Sequence, residues 1–243
     1  MCLSRCISLP KTDTFIFESS DWHSGPDVLP DYVLQWIALG KKKGARLIGN
    51  GDLFDLVLYP HDDYLQGNAR LVLLLALNGY PFEYITGNHD PLNFVKKLEL
   101  PDNIKVSKSL DIWGWHFEHG YQRALDWSVL SKVAPTFTNF MVDHAPHVWR
   151  CISLHMGWIA SGVKPELDGE HTNYTKFIST IHRAYLIFGQ KQNRNCVIGH
   201  THAAFEAKAW KVLHECSLLD GGNLRDGSYV VIDKDGGRIE WLK

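Results

Sequence analysis

Apolar and polar positions along this chain switch between two periods, and the switches mark its elements. Short apolar or β-rich runs bounded by turn residues predict strands at Thr14-Phe15-Ile16-Phe17, Ala45-Arg46-Leu47-Ile48, Phe82-Glu83-Tyr84-Ile85-Thr86 and Asn195-Cys196-Val197-Ile198. Between the first two, Val33, Leu34, Ile37 and Ala38 recur at helical spacing. They predict a helix over Asp31–Lys43, closed by three lysines at the end where the helix dipole favours cations. A second helical run is predicted from about Tyr64 to Leu77, before the turn Asn78-Gly79. The segment from Asp111 to His119 alternates like one strand. The interval from about 121 to 192 reads largely helical, with Phe177, Ile178, Ile181, Tyr185 and Phe188 on one stripe. After Leu219-Asp220-Gly221-Gly222-Asn223, strands Ser228–Ile232 and Arg238–Leu242 predict a closing hairpin with its turn at Asp235-Gly236-Gly237. Strands alternating with helices place the chain in the α/β class.

Composition narrows this picture. At 243 residues the chain suits one α/β domain with an insertion, and 45% hydrophobic with 21% charged residues is ordinary for a globular protein. A formal charge of -2 and a pI of about 6.7 give no strong nucleic-acid signal. Cys2, Cys6, Cys151, Cys196 and Cys216 are an odd, scattered set without a Cys-X-X-Cys pair, which argues against a disulfide framework and fits a reducing, cytoplasmic setting. Met1 to Thr14 lacks the unbroken apolar core of a signal peptide. The apolar run Leu71 to Leu77 is too short for a transmembrane span, and peripheral membrane contact stays open. Thirteen histidines raise the question of metal, since imidazole is the commonest metal ligand.

The histidines and acids fall at the ends of the predicted strands. The first strand runs toward Asp21-Trp22-His23, whose outer two residues share a face in an extended segment and can hold one ion. The second ends in Gly49-Asn50-Gly51-Asp52-Leu53-Phe54-Asp55. Asp52 then stands at the carboxyl edge of a central strand, where a carboxylate can bridge two ions through its two oxygens. The third ends in Gly87-Asn88-His89-Asp90, the Asp111–His119 segment closes on His119-Gly120, and Ile198 leads into Gly199-His200-Thr201-His202. Each motif alone is ordinary turn chemistry. Together Asp21, His23, Asp52, Asn88, His119, His200 and His202 form a donor set suited to two divalent ions about 3.5–4 Å apart.

These motifs, in this order, resemble the calcineurin-like metallophosphoesterase superfamily. The resemblance implies two mixed β-sheets packed as a sandwich flanked by helices, a four-layer fold in a single domain over 1–243 with a helical cap insertion at about 121–192. It implies one ion held by Asp21, His23, Asp52 and His202 and another held by Asp52, Asn88, His119 and His200. His89 is then placed beside the phosphate, with Asp90 orienting it and Asp55 supporting the ligands from behind. Gly51-Asp52-Leu53-Phe54-Asp55, His61-Asp62-Asp63 and the long interval between His119 and His200 are similar to one branch, the UDP-2,3-diacylglucosamine pyrophosphohydrolases. That branch has arginine where this chain has His89, aspartate where it has Tyr121, and a more basic cap.

The expected function is therefore two-metal hydrolysis of a phosphomonoester, phosphodiester or pyrophosphate bond, with manganese as the first candidate and iron, zinc, nickel or cobalt as alternatives. The expected partner is a phosphorylated small molecule or lipid-linked substrate, and substrate-binding residues and oligomeric state are not readable. Alternatives are a nuclease, a cyclic-nucleotide phosphodiesterase, or a scaffold that keeps the fold without catalysis. No ligand motif lies in the cap, which is expected to select substrate. Its aromatics Trp127, Phe137, Phe140, Trp149 and Trp158 read as core or as the lining of an apolar pocket.

Overall fold

A computed structural model describes residues 14–59, 61–121, 171–211 and 214–243. Its strands are β1 (Ile16–Ser19), β2 (Arg46–Asn50), β3 (Phe82–Ile85), β4 (Ile104–Ser107), β5 (Ser109–Ile112), β6 (Trp115–Glu118), β7 (Asn195–Ile198), β8 (Phe205–Lys211), β9 (His214–Asp220), β10 (Ser228–Asp233) and β11 (Gly236–Trp241). Its helices are α1 (Asp31–Lys43), α2 (His61–Gln66), α3 (Asn68–Leu77), α4 (Leu92–Val95) and α5 (His171–Gln192). Two mixed sheets result, ordered β11-β10-β1-β2-β3-β4 and β5-β6-β7-β9-β8. In the first, β1 to β4 run parallel and the β10–β11 hairpin adds antiparallel against β1. In the second, β6, β7 and β9 are parallel, with β5 and β8 antiparallel at the edges.

Strand alternation sorts the side chains into layers. Ile16, Ile48, Ile85, Val230 and Ile232 meet Trp115, Phe117, Val197 and Leu219 between the sheets. The other face of the first sheet, through Phe17, Leu47, Phe82 and Tyr84, is covered by Val33, Trp36 and Ile37 of α1 and Leu73 and Leu77 of α3. The other face of the second sheet, through Cys196, Ile198 and Leu218, is covered by Ile181 and Tyr185 of α5. Helix, sheet, sheet and helix form four layers, the α/β class expected from the sequence pattern and the sandwich implied by the resemblance.

Several elements differ in extent from the sequence expectation. The first strand occupies Ile16–Ser19, two positions later than expected, because its register with β2 pairs Ser19 with Gly49. The helical run before Asn78 is two helices, broken at Gly67, whose backbone passes so close to Pro26 that an added Cβ would lie 2.3 Å from the Pro26 carbonyl oxygen. The alternating segment ending at His119 is a hairpin, β5–β6, turning at Trp113-Gly114, where both residues take positive φ. Its alternation is continuous because the turn adds two residues and leaves the period of two undisturbed. Of the interval read as a cap, residues 122–170 lie outside the described residues, as do its aromatics Trp127, Phe137, Phe140, Trp149 and Trp158. Its last part is α5, whose Ile181, Tyr185 and partly buried Phe188 lie against the second sheet. Among the described residues no helix is long and apolar enough to cross a membrane.

Candidate metal centre

The carboxyl ends of β1, β2, β3, β6 and β7 open at one edge of the sandwich, and each delivers part of the predicted donor set. Loop-to-loop hydrogen bonds knit that edge together. Asp21 N–H donates to Gly51 O (3.1 Å), His23 N–H to Asp52 O (2.9 Å), Gly199 N–H to His119 O (2.9 Å) and His200 N–H to Asp21 Oδ2 (3.0 Å). The last of these ties the two sheets together across the site.

Backbone strain is concentrated here. Nine non-glycine residues among those described take a positive φ, and Asp21, His23, Asp52, His200 and His202 are five of them. Each left-handed residue costs roughly 1–2 kcal/mol, so the five together cost about 5–10 kcal/mol, comparable with the net stability of a whole domain. Such a cluster persists where the surroundings over-determine it, as strained residues at functional sites do. The N–H groups of Asp21, His23, Asp52 and His200 are all hydrogen-bonded, which offsets part of the cost. Two glycines allow the close approaches involved. A Cβ on Gly51, at φ 82°, would lie 2.4 Å from the His119 ring, and one on Gly87 would lie 2.1 Å from Asp52 Oδ1.

The donor atoms fall into groups whose members lie within 4.8 Å of one another: Asp21, His23 and His202; Asp52, His119 and His200; and His23, Asp55 and His89. In the first, Asp21 Oδ1 is 3.2 Å from His202 Nε2 and 3.9 Å from His23 Nε2, and the two imidazole nitrogens are 3.4 Å apart. Two nitrogens bound tetrahedrally at about 2.0–2.1 Å from one ion stand about 3.4 Å apart. In the second group, His119 Nε2 lies 3.1 Å from Asp52 Oδ2. It has no aligned hydrogen-bond partner, and neither has Asn88 Oδ1, although both atoms are buried. Buried polar atoms left without partners are costly, and a divalent cation is compatible with this donor set. Asp52 joins the groups, with Oδ2 also 4.0 Å from His23 Nε2. Its Oδ1 accepts the His89 N–H at 2.8 Å. Asp52 Oδ1 thus has a backbone donor, while Oδ2 is the oxygen near His119 and His23.

The remaining expected residues take distinct places. His119 Nδ1 donates to Asn50 O at 2.6 Å, which turns Nε2 into the site. His89 Nδ1 meets Asp55 Oδ1 at 2.6 Å, and its ring lies edge-on to His23 at 4.7 Å. The partner that orients the His89 ring is thus Asp55. Asp90 is fully buried and serves the backbone: Oδ1 accepts from Asp52 N–H (3.0 Å) and Gly87 N–H (2.6 Å), and Oδ2 from Leu53 N–H (2.7 Å) and the Tyr84 hydroxyl (2.6 Å). Tyr84, and Tyr64 whose hydroxyl donates to Ser24 O and accepts from Asp55 N–H, are supports that a strand or helix pattern does not distinguish from core.

Electrostatics follow from four carboxylates, Asp21, Asp52, Asp55 and Asp90, set among the histidines. Burial would lower His119, but Asp52 and Asp21 raise it to about 10. Burial and the neighbouring His119 push His200 down to about 4, and burial lowers His23. Burial would likewise lower His89, yet Asp52 and the hydrogen bond to Asp55 raise it to about 9. Asp52 stays well below the usual carboxylate range; burial opposes this and the surrounding histidines, His119 first, outweigh it. The floor of the site, Asp21, Asp52 and His119, is buried, whereas side chains of His23, His89 and His202 are 23%, 35% and 44% exposed. His23, His89 and His202 therefore form the accessible face of the site.

No protein-family model matches the chain, and no curated protein matches it in sequence. Solved structures resemble it at low identity. The phosphoesterase YfcE from E. coli is 16% identical over 91% of this chain and 89% of that one, with a TM-score of 0.43. The Thermus thermophilus protein TT1561 is 13% identical over 96% and 100% of the two chains, with a TM-score of 0.48. Vacuolar Protein Sorting 29 from Cryptosporidium parvum is 12% identical over 94% and 91%, with a TM-score of 0.45. These are likenesses of chain trace, and the side chains of the site carry the functional reading.

Proposed function

We propose that this chain is a two-metal phosphoesterase that hydrolyses a phosphomonoester, phosphodiester or pyrophosphate bond, and that its two divalent ions are manganese, or iron, zinc, nickel or cobalt. The observation that carries the reading is Asp52 Oδ2, 3.1 Å from His119 Nε2 and 4.0 Å from His23 Nε2, between two groups of donors from four strand ends. Asp21, His23, Asp52 and His202 would hold one ion, and Asp52, Asn88, His119 and His200 the other. Bound there, the ions supply Lewis acidity that polarises the phosphoryl group and lowers the pKa of the attacking water.

The chain's own groups do the rest. Asp90 holds the Asp52–Leu53 backbone so that Oδ2 keeps one direction. Asp55 fixes Nδ1 of His89 as a donor, which leaves Nε2 as the other proton-bearing atom of a cationic ring. In the hydrolysis, a water oxygen would bond to phosphorus as the bond to the leaving oxygen breaks, and the water's proton would be released to solvent. His89 Nε2 supplies its hydrogen bond, or its proton, to the phosphoryl or leaving oxygen.

A UDP-2,3-diacylglucosamine-like nucleotide-sugar lipid is the substrate candidate that the sequence resemblance brings, with a cytoplasmic setting. His89 and Tyr121 depart from that branch, so substrate choice is tested on a panel of nucleotide-sugar lipids, dinucleotides, cyclic nucleotides and aryl phosphates with Mn²⁺ added. Hydrolysis of at least one class that is lost with chelator supports the reading. Two bound ions with no hydrolysis of any class would favour the scaffold.

A further inference from the structure

Thr201 sits between the two histidines His200 and His202, and it is the only residue of that trio turned away from the site into the fold. It is 2% exposed, and its hydroxyl donates to Asp220 Oδ2 at 2.5 Å. Asp220, at the end of β9, is fully buried and accepts from two further donors: His182 Nε2 on α5 at 2.9 Å, to the same Oδ2, and Gly222 N–H at 3.0 Å, to Oδ1. His182 is itself held by Phe205 of β8, whose ring stacks on it at 4.0 Å and 13°. A carboxylate with three donors aimed at it from three segments is a built anchor.

We propose that Asp220, clamped by His182, is a positioning residue for the metal centre: through the Thr201 hydroxyl it holds the Gly199–His202 loop in the conformation that presents His200 and His202. The physical need is specific. His200 and His202 take φ of 71° and 56°, and two strained residues flanking one threonine relax unless that threonine is pinned. A hydroxyl has one proton, and Asp220 accepts it at 2.5 Å, so Ala203 N–H at 3.3 Å is left as a donor to the same oxygen. The turn is thus closed by the peg that fixes it. Because His182 lies on α5, the placement of two ligands is tied to the helix over the second sheet.

The inference rests on the two-metal reading, and the test separates the two. Four full-length variants, Thr201→Val, Thr201→Ser, Asp220→Asn and the double Thr201→Val/Asp220→Asn, are compared in two measurements. Amide hydrogen exchange over residues 199–203 is read in chelator-treated protein, and Mn²⁺ affinity is read by titration. Thr201→Val, which keeps the shape and loses the hydroxyl, should speed exchange in those amides and weaken Mn²⁺ binding about 10–100-fold, the usual effect of losing a group that orients ligands. Thr201→Ser should restore both to within about threefold. The double variant should be no worse than the more damaging single one, since both cut the same chain. Circular dichroism checks folding, and if Asp220→Asn does not fold, the Thr201 pair decides. Wild-type exchange and wild-type affinity in folded Thr201→Val overturn the proposal, as does additivity in the double variant. If the unaltered protein takes up no ion, the two-metal reading falls, and the exchange measurement alone still judges whether Asp220 positions the loop.

Discussion

Nδ1 of His89 and Oδ1 of Asp55 share a 2.6 Å hydrogen bond, while the backbone N–H of the same His89 donates to Asp52 Oδ1 at 2.8 Å. One residue thus orients the shared carboxylate with its main chain and is itself oriented by a second carboxylate through its ring. Its ring is a third exposed and lies on the accessible face of the site, and in the proposed reading it acts beside the ligands. His89→Ala should lower turnover by about 10²–10⁴-fold with metal content nearly intact. Asp55→Asn should cost less and move the pH profile of turnover, because the ring then loses an anionic partner. Loss of an ion in His89→Ala, read by elemental analysis, would make the residue a ligand.

Asp52 should be the least replaceable residue in the chain. Its Oδ2 lies near His23 and His119, so on the proposed two-metal reading Asp52→Asn would remove charge from both ions at once, whereas His202→Ala or Asn88→Ala would weaken one. The expected order of lost activity and lost metal places Asp52→Asn first. Gly87→Ala should behave similarly by forcing a Cβ against Asp52 Oδ1. Two tightly held ions and near-normal turnover in Asp52→Asn would contradict the geometry.

How far the sequence carries follows from the range of each signal. The α1 span and the central strands are legible because strand period and helix period are local, and the glycine-bounded strand ends are what name the candidate donors. The β5–β6 turn is hidden because Trp113-Gly114 keeps the alternation in phase. Asp220 and His182 are hidden for a different reason. They lie 38 positions apart, and nothing local distinguishes His182 on the buried stripe of α5 from a core residue, so the pair becomes visible only when β9 and α5 are packed together. Asp90 shows the limit within a motif, since Gly-Asn-His-Asp places it beside His89 in sequence while its carboxylate serves the backbone.

Metal uptake should release protons. His119 is raised to about 10 in the ion-free protein, so at pH 7 its Nε2 carries a proton that a metal ligand cannot keep. Affinity should therefore increase with pH between about 7 and 10. Calorimetry in buffers of different ionisation enthalpy reads the protons directly. The same shift sets the sign for stability without ions. A pKa raised above its unfolded value of about 6.5 gives His119 a contribution fully present below that pH and lost as pH rises toward about 10. Chelator-treated protein should lose stability across that window relative to a His119→Gln variant.

Tyr84→Phe tests the support beneath the site. The hydroxyl donates to Asp90 Oδ2 at 2.6 Å, and its removal leaves Asp90 with three backbone donors. The expected cost is about 1–3 kcal/mol, typical of a hydrogen bond to a charged group, seen as a drop of several degrees in thermal unfolding. Unchanged thermal stability would show that the backbone donors alone hold Asp90.

The central claim is that two ions bridged by Asp52 hydrolyse a phosphate ester, and it is tested most directly by titrating chelator-treated protein with Mn²⁺ while following hydrolysis of an aryl phosphate mono- or diester. The account predicts that the rate climbs steeply only as the second equivalent binds, and that Asp52→Asn stays near the background rate at every Mn²⁺ concentration. A rate that saturates at one equivalent, or hydrolysis by Asp52→Asn at the level of the unaltered protein, would contradict it.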